Sequence, residues 1–154
     1  MTVTVQDTIE RQLVIPVGRQ RVWEALTNPD RLSKWLCDQA TVRLEPGAPI
    51  AFAWNGYGTT RGRVEVVEPP RHFAYSWAAA ADTDQAIPFE EIPATLVEFT
   101  LEETPEGTRV TVIESGFAAL PEDARDQALR EHSEGWVAKT TSLLDYLLAE
   151  SSQQ

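Results

Sequence analysis

Two side chains in this sequence stand where proton chemistry could be done. In the run Val110-Thr111-Val112-Ile113-Glu114 the positions Val110, Val112 and Glu114 share one face of a strand, so an apolar row ends in a carboxylate. His132 falls on the apolar stripe of a long helical pattern, one turn before Trp136. A carboxylate isolated among apolar groups is costly and normally acquires a partner or a proton. His132 could be that partner, which makes a Glu114–His132 pair at the mouth of a cavity one candidate arrangement, though not the ordinary one, and one perturbed carboxylate or histidine suffices for proton transfer. In the other arrangement the strand twists outward, Glu114 reaches solvent and His132 is a half-exposed packing residue. Gly135, in mid-helix, costs roughly 1 kcal/mol relative to alanine, a cost that either close packing against the sheet or space for a ligand would offset; close packing is the expectation.

Other chemistries lack their residues. Gly56-Tyr57-Gly58 has neither the third glycine nor the following helix of a dinucleotide site, and there is no phosphate loop or nucleophile elbow. His72 and His132 fall on different elements with no His-Glu helix motif, and the single cysteine, Cys37, has no disulfide partner and no metal-ligand spacing. No metal and no cofactor is expected. Arg61 and Arg63 alternate with Gly62 and Val64, the pattern of a solvated strand face.

The elements that must position these groups follow from periodicity. Thr8 to Pro16 reads as a strand, ended by a proline that cannot donate to a ladder. Val22, Trp23, Ala25 and Leu26 mark one face of a short helix over Arg19–Thr27. Asn28-Pro29-Asp30 starts a second, running to about Leu36: the asparagine caps, the proline suits the first helical position, and the carboxylate favours the positive helix end. Period-two alternation then predicts strands over Ala40–Leu44, Pro49–Trp54, Thr59–Val67, His72–Ala78, Thr95–Glu103 and Thr108–Ser115, joined by short turns and so antiparallel. Ala79–Ala94 is too apolar for a solvated linker and too long for a hairpin turn, and reads as a lid or flap. After Pro121 a helical pattern continues to about Glu150, roughly 40 Å long, with the stripe Ala128, Leu129, His132, Trp136, Thr140, Leu143, Leu144 and Leu147. Ser151–Gln154 reads as a frayed tail.

Alternation puts Ile50, Phe52 and Trp54 on one strand face, with Phe73, Tyr75 and Trp77, then Val97, Phe99 and Leu101, on the matching faces of other strands. The opposite faces, with Ala51, Ala53, His72, Ala74, Ser76, Glu98, Thr100 and Glu102, look solvent-facing. Such a sheet must bury its aromatic face, and only the C-terminal helix is long enough to cover it. The fold class is α+β: a curved antiparallel sheet of about seven strands wrapped around a long C-terminal helix, with two short helices after the first strand, all in one domain over residues 1–154. The space between helix and sheet is the natural small-molecule site. Its expected contacts are Trp35, Phe52, Trp54, Phe73, Tyr75, Trp77, Phe89, Phe99, Val112, Glu114, His132 and Trp136, although core packing is the ordinary role of each aromatic taken singly.

Composition narrows the partners. With 154 residues and 42% hydrophobic content the chain can build a core without disulfides or metal. Thirteen Lys and Arg against 24 Asp and Glu give a net charge of -11, which repels nucleic acid and anionic membrane surfaces. No apolar run approaches the roughly 18 residues of a membrane span, and Met1 opens no basic-then-apolar leader, so the chain reads as soluble and cytoplasmic.

The run Val22-Trp23-Glu24-Ala25-Leu26-Thr27-Asn28-Pro29 leading to Leu32 and Trp35 resembles the start of a START-like (SRPBCC) domain, of the kind related to the C-terminal domain of the Hsp90 ATPase activator. Val64 to Trp77 with its central Pro69-Pro70-Arg71, Gly107 to Val112 ending in Ser115-Gly116-Phe117, and Gly135-Trp136 with its leucine-rich continuation carry the same resemblance, over nearly the whole chain. It implies a helix-grip fold with a deep cavity. The scaffold hosts lipid carriers, receptors, cyclases and co-chaperone domains, so it does not choose a function. Relatives often have histidine where this chain has Glu114, and the eukaryotic co-chaperone uses a further N-terminal domain absent from these residues. Three readings follow. The first is binding of a hydrophobic or aromatic small molecule, gated by Ala79–Ala94. The second is a cyclase, dehydratase or hydrolase using Glu114 or His132, though no recognised catalytic motif is present. The third is a stress-related or co-chaperone role with a chaperone partner. Exposed tryptophan or the flap leaves room for a homodimer.

Overall fold

The alternating and helical segments resolve into ten principal elements in a computed structural model that describes residues 6–83 and 85–152. They are β1 (Thr8–Ile15), α1 (Arg19–Thr27), α2 (Pro29–Trp35), β2 (Gln39–Val42), β3 (Pro49–Trp54), β4 (Gly58–Glu68), β5 (His72–Ala78), β6 (Ala94–Thr104), β7 (Gly107–Ser115) and α3 (Glu122–Ser152). Short 3-10 turns lie at Phe89–Glu91 and Phe117–Ala119. The strands form one antiparallel sheet in the order β1-β7-β6-β5-β4-β3-β2, so α1 and α2 carry the chain from one edge to the other. This is the expected helix-grip α+β architecture, with boundaries moved by a residue or two. The larger shift is in β2, which starts at Gln39 and ends at Val42, two residues short of Leu44. The helix continues through Ser152 where a frayed tail was expected, and residues 1–5, 84, 153 and 154 lie outside the described residues.

Local chemistry accounts for the joints. The Asn28 side chain accepts from the backbone N–H of Asp30 and Arg31 at 2.9 and 3.4 Å, and Pro29 occupies the first turn of α2. A β-bulge in β4 between Val64 and Val66 adds bend to a sheet that must wrap a helix. The end of α3 is tied back to the elbow, where Glu150 accepts from Arg21 at 2.9 Å and from the Tyr146 hydroxyl at 2.8 Å and also pairs with Arg31.

The inner face of the sheet, α1, α2 and one side of α3 close a single apolar core, in which Phe52, Phe73, Tyr75 and Phe99 are buried with Leu143 and Leu147. Most aromatic rings meet edge-on or tilted, as in Trp23–Phe73 at 6.1 Å and Phe52–Tyr75 at 5.2 Å. One outer-face expectation is corrected. Ala74 is buried, because its methyl group lies between the longer cross-strand neighbours Val66 and Glu98.

Candidate functional site

Strand register brings the polar cluster together. Glu114 pairs with Val97 on β6, one row from the Thr95–Trp77 pair, so the Trp77, Thr95 and Glu114 side chains converge on the inner face. Helix α3 adds His132 and Trp136, one turn apart on the side facing the sheet. The Glu114 carboxylate is 0% exposed and accepts from four side chains. Trp77 Nε1 donates at 3.0 Å, Thr95 Oγ1 at 2.5 Å and His132 Nδ1 lies at 2.7 Å, all on Oε2; Trp136 Nε1 donates to Oε1 at 2.8 Å. The carboxylate therefore enters the interior, and the strand does not twist out.

The protonation states follow from these contacts. Burial by itself pushes the Glu114 carboxyl up, but the hydrogen bond and charge of His132, with the bonds from Thr95 and Trp77, outweigh it and hold the group below its ordinary range. Burial alone would lower His132, yet the bond to Glu114 and its charge, with smaller help from the Ala79 backbone and Glu131, raise it. Each group thus favours the charged form of the other. Trp77 and Phe117 flank the His132 ring edge-on at 5.9 and 5.6 Å.

Beside this cluster, between α3 and the sheet, lies a cavity of about 720 Å³. Its position reflects side-chain size along α3. Toward the C-terminal end the inward stripe carries Leu143 and Leu147, which fill the core; toward the N-terminal end it carries Ala124, Ala128 and Gly135, facing Ala78–Ala81 across the gap. A Cβ on Gly135 would meet nothing within 4 Å beyond its own helix, so the expected close packing at Gly135 is not present and the glycine opens space instead. Trp54, Trp77 and Trp136 supply a continuous aromatic wall, with ring centroids 6.3 Å apart for the first pair and 5.9 Å for the second, which is stacked. Each indole N–H is already used, by the Leu36 carbonyl for Trp54 and by Glu114 for the other two, so the wall presents carbon to the cavity.

Of the expected contact residues, Trp54, Trp77, His132 and Trp136 line this cavity. Glu114 does not; it lies behind the wall and holds it. Trp35, Phe52, Phe73, Tyr75, Phe99 and Val112 are packed in the solid core, because the C-terminal leucines of α3 and the α1–α2 elbow cover that part of the sheet. Trp35 donates to the Ala25 carbonyl at 2.8 Å, and burial drives the Tyr75 phenol upward in pKa, with smaller contributions from the charges of Glu114 and Cys37. Phe89 is outside the cavity altogether. It lies against the guanidinium groups of Arg61 and Arg63 on the outer face of β4, at 5.9 and 5.6 Å from the ring centre. Those arginines are thus not simply solvated: Arg61 donates to the Ile87 carbonyl, and Arg63 pairs with Glu65 and Glu90.

Among the described residues, the segment between β5 and β6 borders the cavity through Ala79–Ala81 with Thr83 and then Ile92 and Pro93. It is pinned, with Ala79 N–H on the Pro93 carbonyl at 2.9 Å and Asp82 exchanging bonds with the Thr59 backbone at 2.8 and 2.9 Å. Gly58, at φ +104°, makes this approach feasible, since a side chain there would overlap the Asp82 carboxylate. Sequence reasoning missed the small residues Ala78–Ala81, Ala124 and Ala128, and Lys139. The signal was present as small side chains at helical spacing, 124, 128 and 135, in register with an alanine run. Among the described residues no helix is long and apolar enough to cross a membrane and no cluster of metal-ligating side chains occurs. Burial raises the Cys37 thiol to about 11.

A family model described as Activator of Hsp90 ATPase homolog 1-like protein matches residues 16–148. No curated protein matches the sequence. A solved structure from Mesorhizobium loti is 25% identical, covering 91% of this chain and 96% of its own, with a TM-score of 0.76. DynU16, a protein in the dynemicin biosynthetic locus, is 23% identical over 93% of this chain and 48% of its own, at 0.74. The Aha1 dimer of Colwellia psychrerythraea, solved in solution, is 21% identical over 91% and 95%, at 0.72. Matched by that family model from the end of β1 nearly to the end of α3, and sharing its fold with these structures, the chain belongs to the Activator of Hsp90 ATPase homolog 1-like family of the START-like (SRPBCC) superfamily.

Proposed function

We propose that this protein binds an apolar or aromatic small molecule in the cavity between α3 and the sheet. The observation that carries the reading is the cavity itself: about 720 Å³ of space, within the range of small-molecule pockets, walled by three tryptophans and kept open by Gly135. A mid-helix glycine facing empty space has no packing role to offset its helix cost, and room for a ligand supplies one. The proton-transfer reading has less support. Both Glu114 oxygens are occupied, and the imidazole is engaged by Glu114, which suits a group that positions Trp77 and Trp136 better than one that meets a substrate.

Native mass spectrometry of freshly purified protein, with denaturing extraction, tests the proposal. A stoichiometric organic molecule that is lost in Gly135→Leu supports it. Protein that is empty, and that no aromatic compound stabilises in a thermal-shift series, refutes it, because a ligand must raise stability with its concentration. The same spectrum reports whether the chain self-associates, as the Colwellia relative does.

A further inference from the structure

We infer that the cavity is selective for organic acids: a flat apolar or aromatic body lies against the tryptophan wall while its anionic group meets Lys139. The inference rests on the small-molecule reading above and adds the ligand's charge.

Lys139 lies in the cavity wall on α3, one turn beyond Gly135 and Trp136, and is half-buried. The chain has only two lysines among 24 acidic residues and a net charge of -11, yet no carboxylate is paired with this one among the described residues. Its charge is felt at Cys37, next to Leu36 at the same end of the cavity. A cation drawn partly out of water with no partner is a group that a ligand can complete.

The remaining charges in the wall do not compete. His132 is neutralised by Glu114 behind it. Glu131 is exposed, accepts from Gln127 at 2.8 Å, and stands eight residues before Lys139, or about 12 Å along the helix, beyond the roughly 8 Å screening length of physiological salt. The indole N–H groups of Trp54, Trp77 and Trp136 are already used, so the aromatic surface offers no donor of its own. A second polar contact is available in the Thr83 hydroxyl, which is buried in the lining without a hydrogen-bond partner among the described residues.

The experiment is isothermal titration of three probes that share one ring system, 2-naphthoate, 2-naphthylmethanol and 2-naphthylmethylammonium, into the wild-type protein and Lys139→Met. The acid should bind about tenfold or more tighter than the alcohol, the scale of one hydrogen-bonded charge. In Lys139→Met that advantage should vanish through weaker binding of the acid, with the alcohol unchanged. Equal affinity of acid and alcohol in the wild type, preference for the ammonium probe, or an advantage that survives Lys139→Met overturns the inference while leaving the cavity reading intact. Failure of all three probes to bind overturns both.

Discussion

Replacing Glu114 with glutamine keeps the shape of the side chain and removes the one property on which four neighbours depend. The carboxylate offers only acceptors, and it meets the N–H groups of Trp77 and Trp136, the Thr95 hydroxyl and the His132 ring. The Thr95 hydroxyl can turn and accept, and His132 can lose a proton and accept at Nδ1. An indole can do neither. The two indoles sit on different oxygens, Trp77 on Oε2 and Trp136 on Oε1, so in either orientation of the amide one indole N–H faces the N–H2 group. One buried orphan donor costs about 1–3 kcal/mol. Breaking the buried ion pair adds to this, though less than the 3–5 kcal/mol of an uncompensated charge because His132 can neutralise. Glu114→Gln should therefore lose about 3 kcal/mol at pH 7, or roughly 6–12 °C in Tm for a chain of this length, and still fold. Denaturant unfolding measures the first quantity, and NMR titration of the His132 ring measures its cause. In the wild type the ring should titrate above its ordinary value; in the variant, with its main partner gone and burial remaining, it should titrate below. The signs of the pH dependence follow. The His132 contribution is complete below the ordinary histidine pKa and is lost as pH rises through the elevated folded value. The Glu114 contribution is present above the ordinary glutamate pKa and is lost as pH falls through the depressed one. A loss below about 1 kcal/mol, or a His132 titration that does not move, would show that the four bonds do not hold the cluster.

Two further outcomes test the space and the burial described above. Gly135→Ala should stabilise the protein by up to about 1 kcal/mol in thermal or denaturant unfolding, since the new methyl group enters open space and the helix gains propensity; destabilisation would mean that the helix packs closely there after all. Cys37, with a thiol raised to about 11, should be thiolate in only about one molecule in a thousand at pH 8 and react with an exposed-thiol reagent no faster than the protein opens. Rapid labelling of folded protein would refute that burial.

The Glu114–His132 cluster shows how far sequence periodicity reaches into the site. A carboxylate ending the row Val110, Val112, Glu114 and a histidine on the stripe of a helix identify two groups that face one interior. The Trp77 donor was not legible, because it follows from register: which residue of β5 stands beside which residue of β7 is set by the intervening strand β6, while the Trp136 donor depends on where α3 lies over the sheet. Phe89 shows the limit from the other side. Its segment has no period, so nothing in the sequence says that it folds outward onto Arg61 and Arg63 instead of inward over the cavity.

What the sequence by itself determined is the set of faces. Period two and period 3.6, with the Asn28-Pro29 cap and the turn residues, prescribe the strands, the elbow and the long helix, because each element must bury its own apolar side. Where the helix crosses the sheet was decided by tertiary packing alone. That crossing puts Leu143 and Leu147 over the aromatic rows and leaves Ala124, Ala128 and Gly135 opposite the Ala78–Ala81 run. Most of the aromatic face thereby becomes solid core, and its Trp54–Trp77 margin, joined by Trp136 of α3, becomes a cavity wall. The physical reason is that a void is a difference between two surfaces. Each surface is written in the local sequence, but the gap between them exists only once they are brought together.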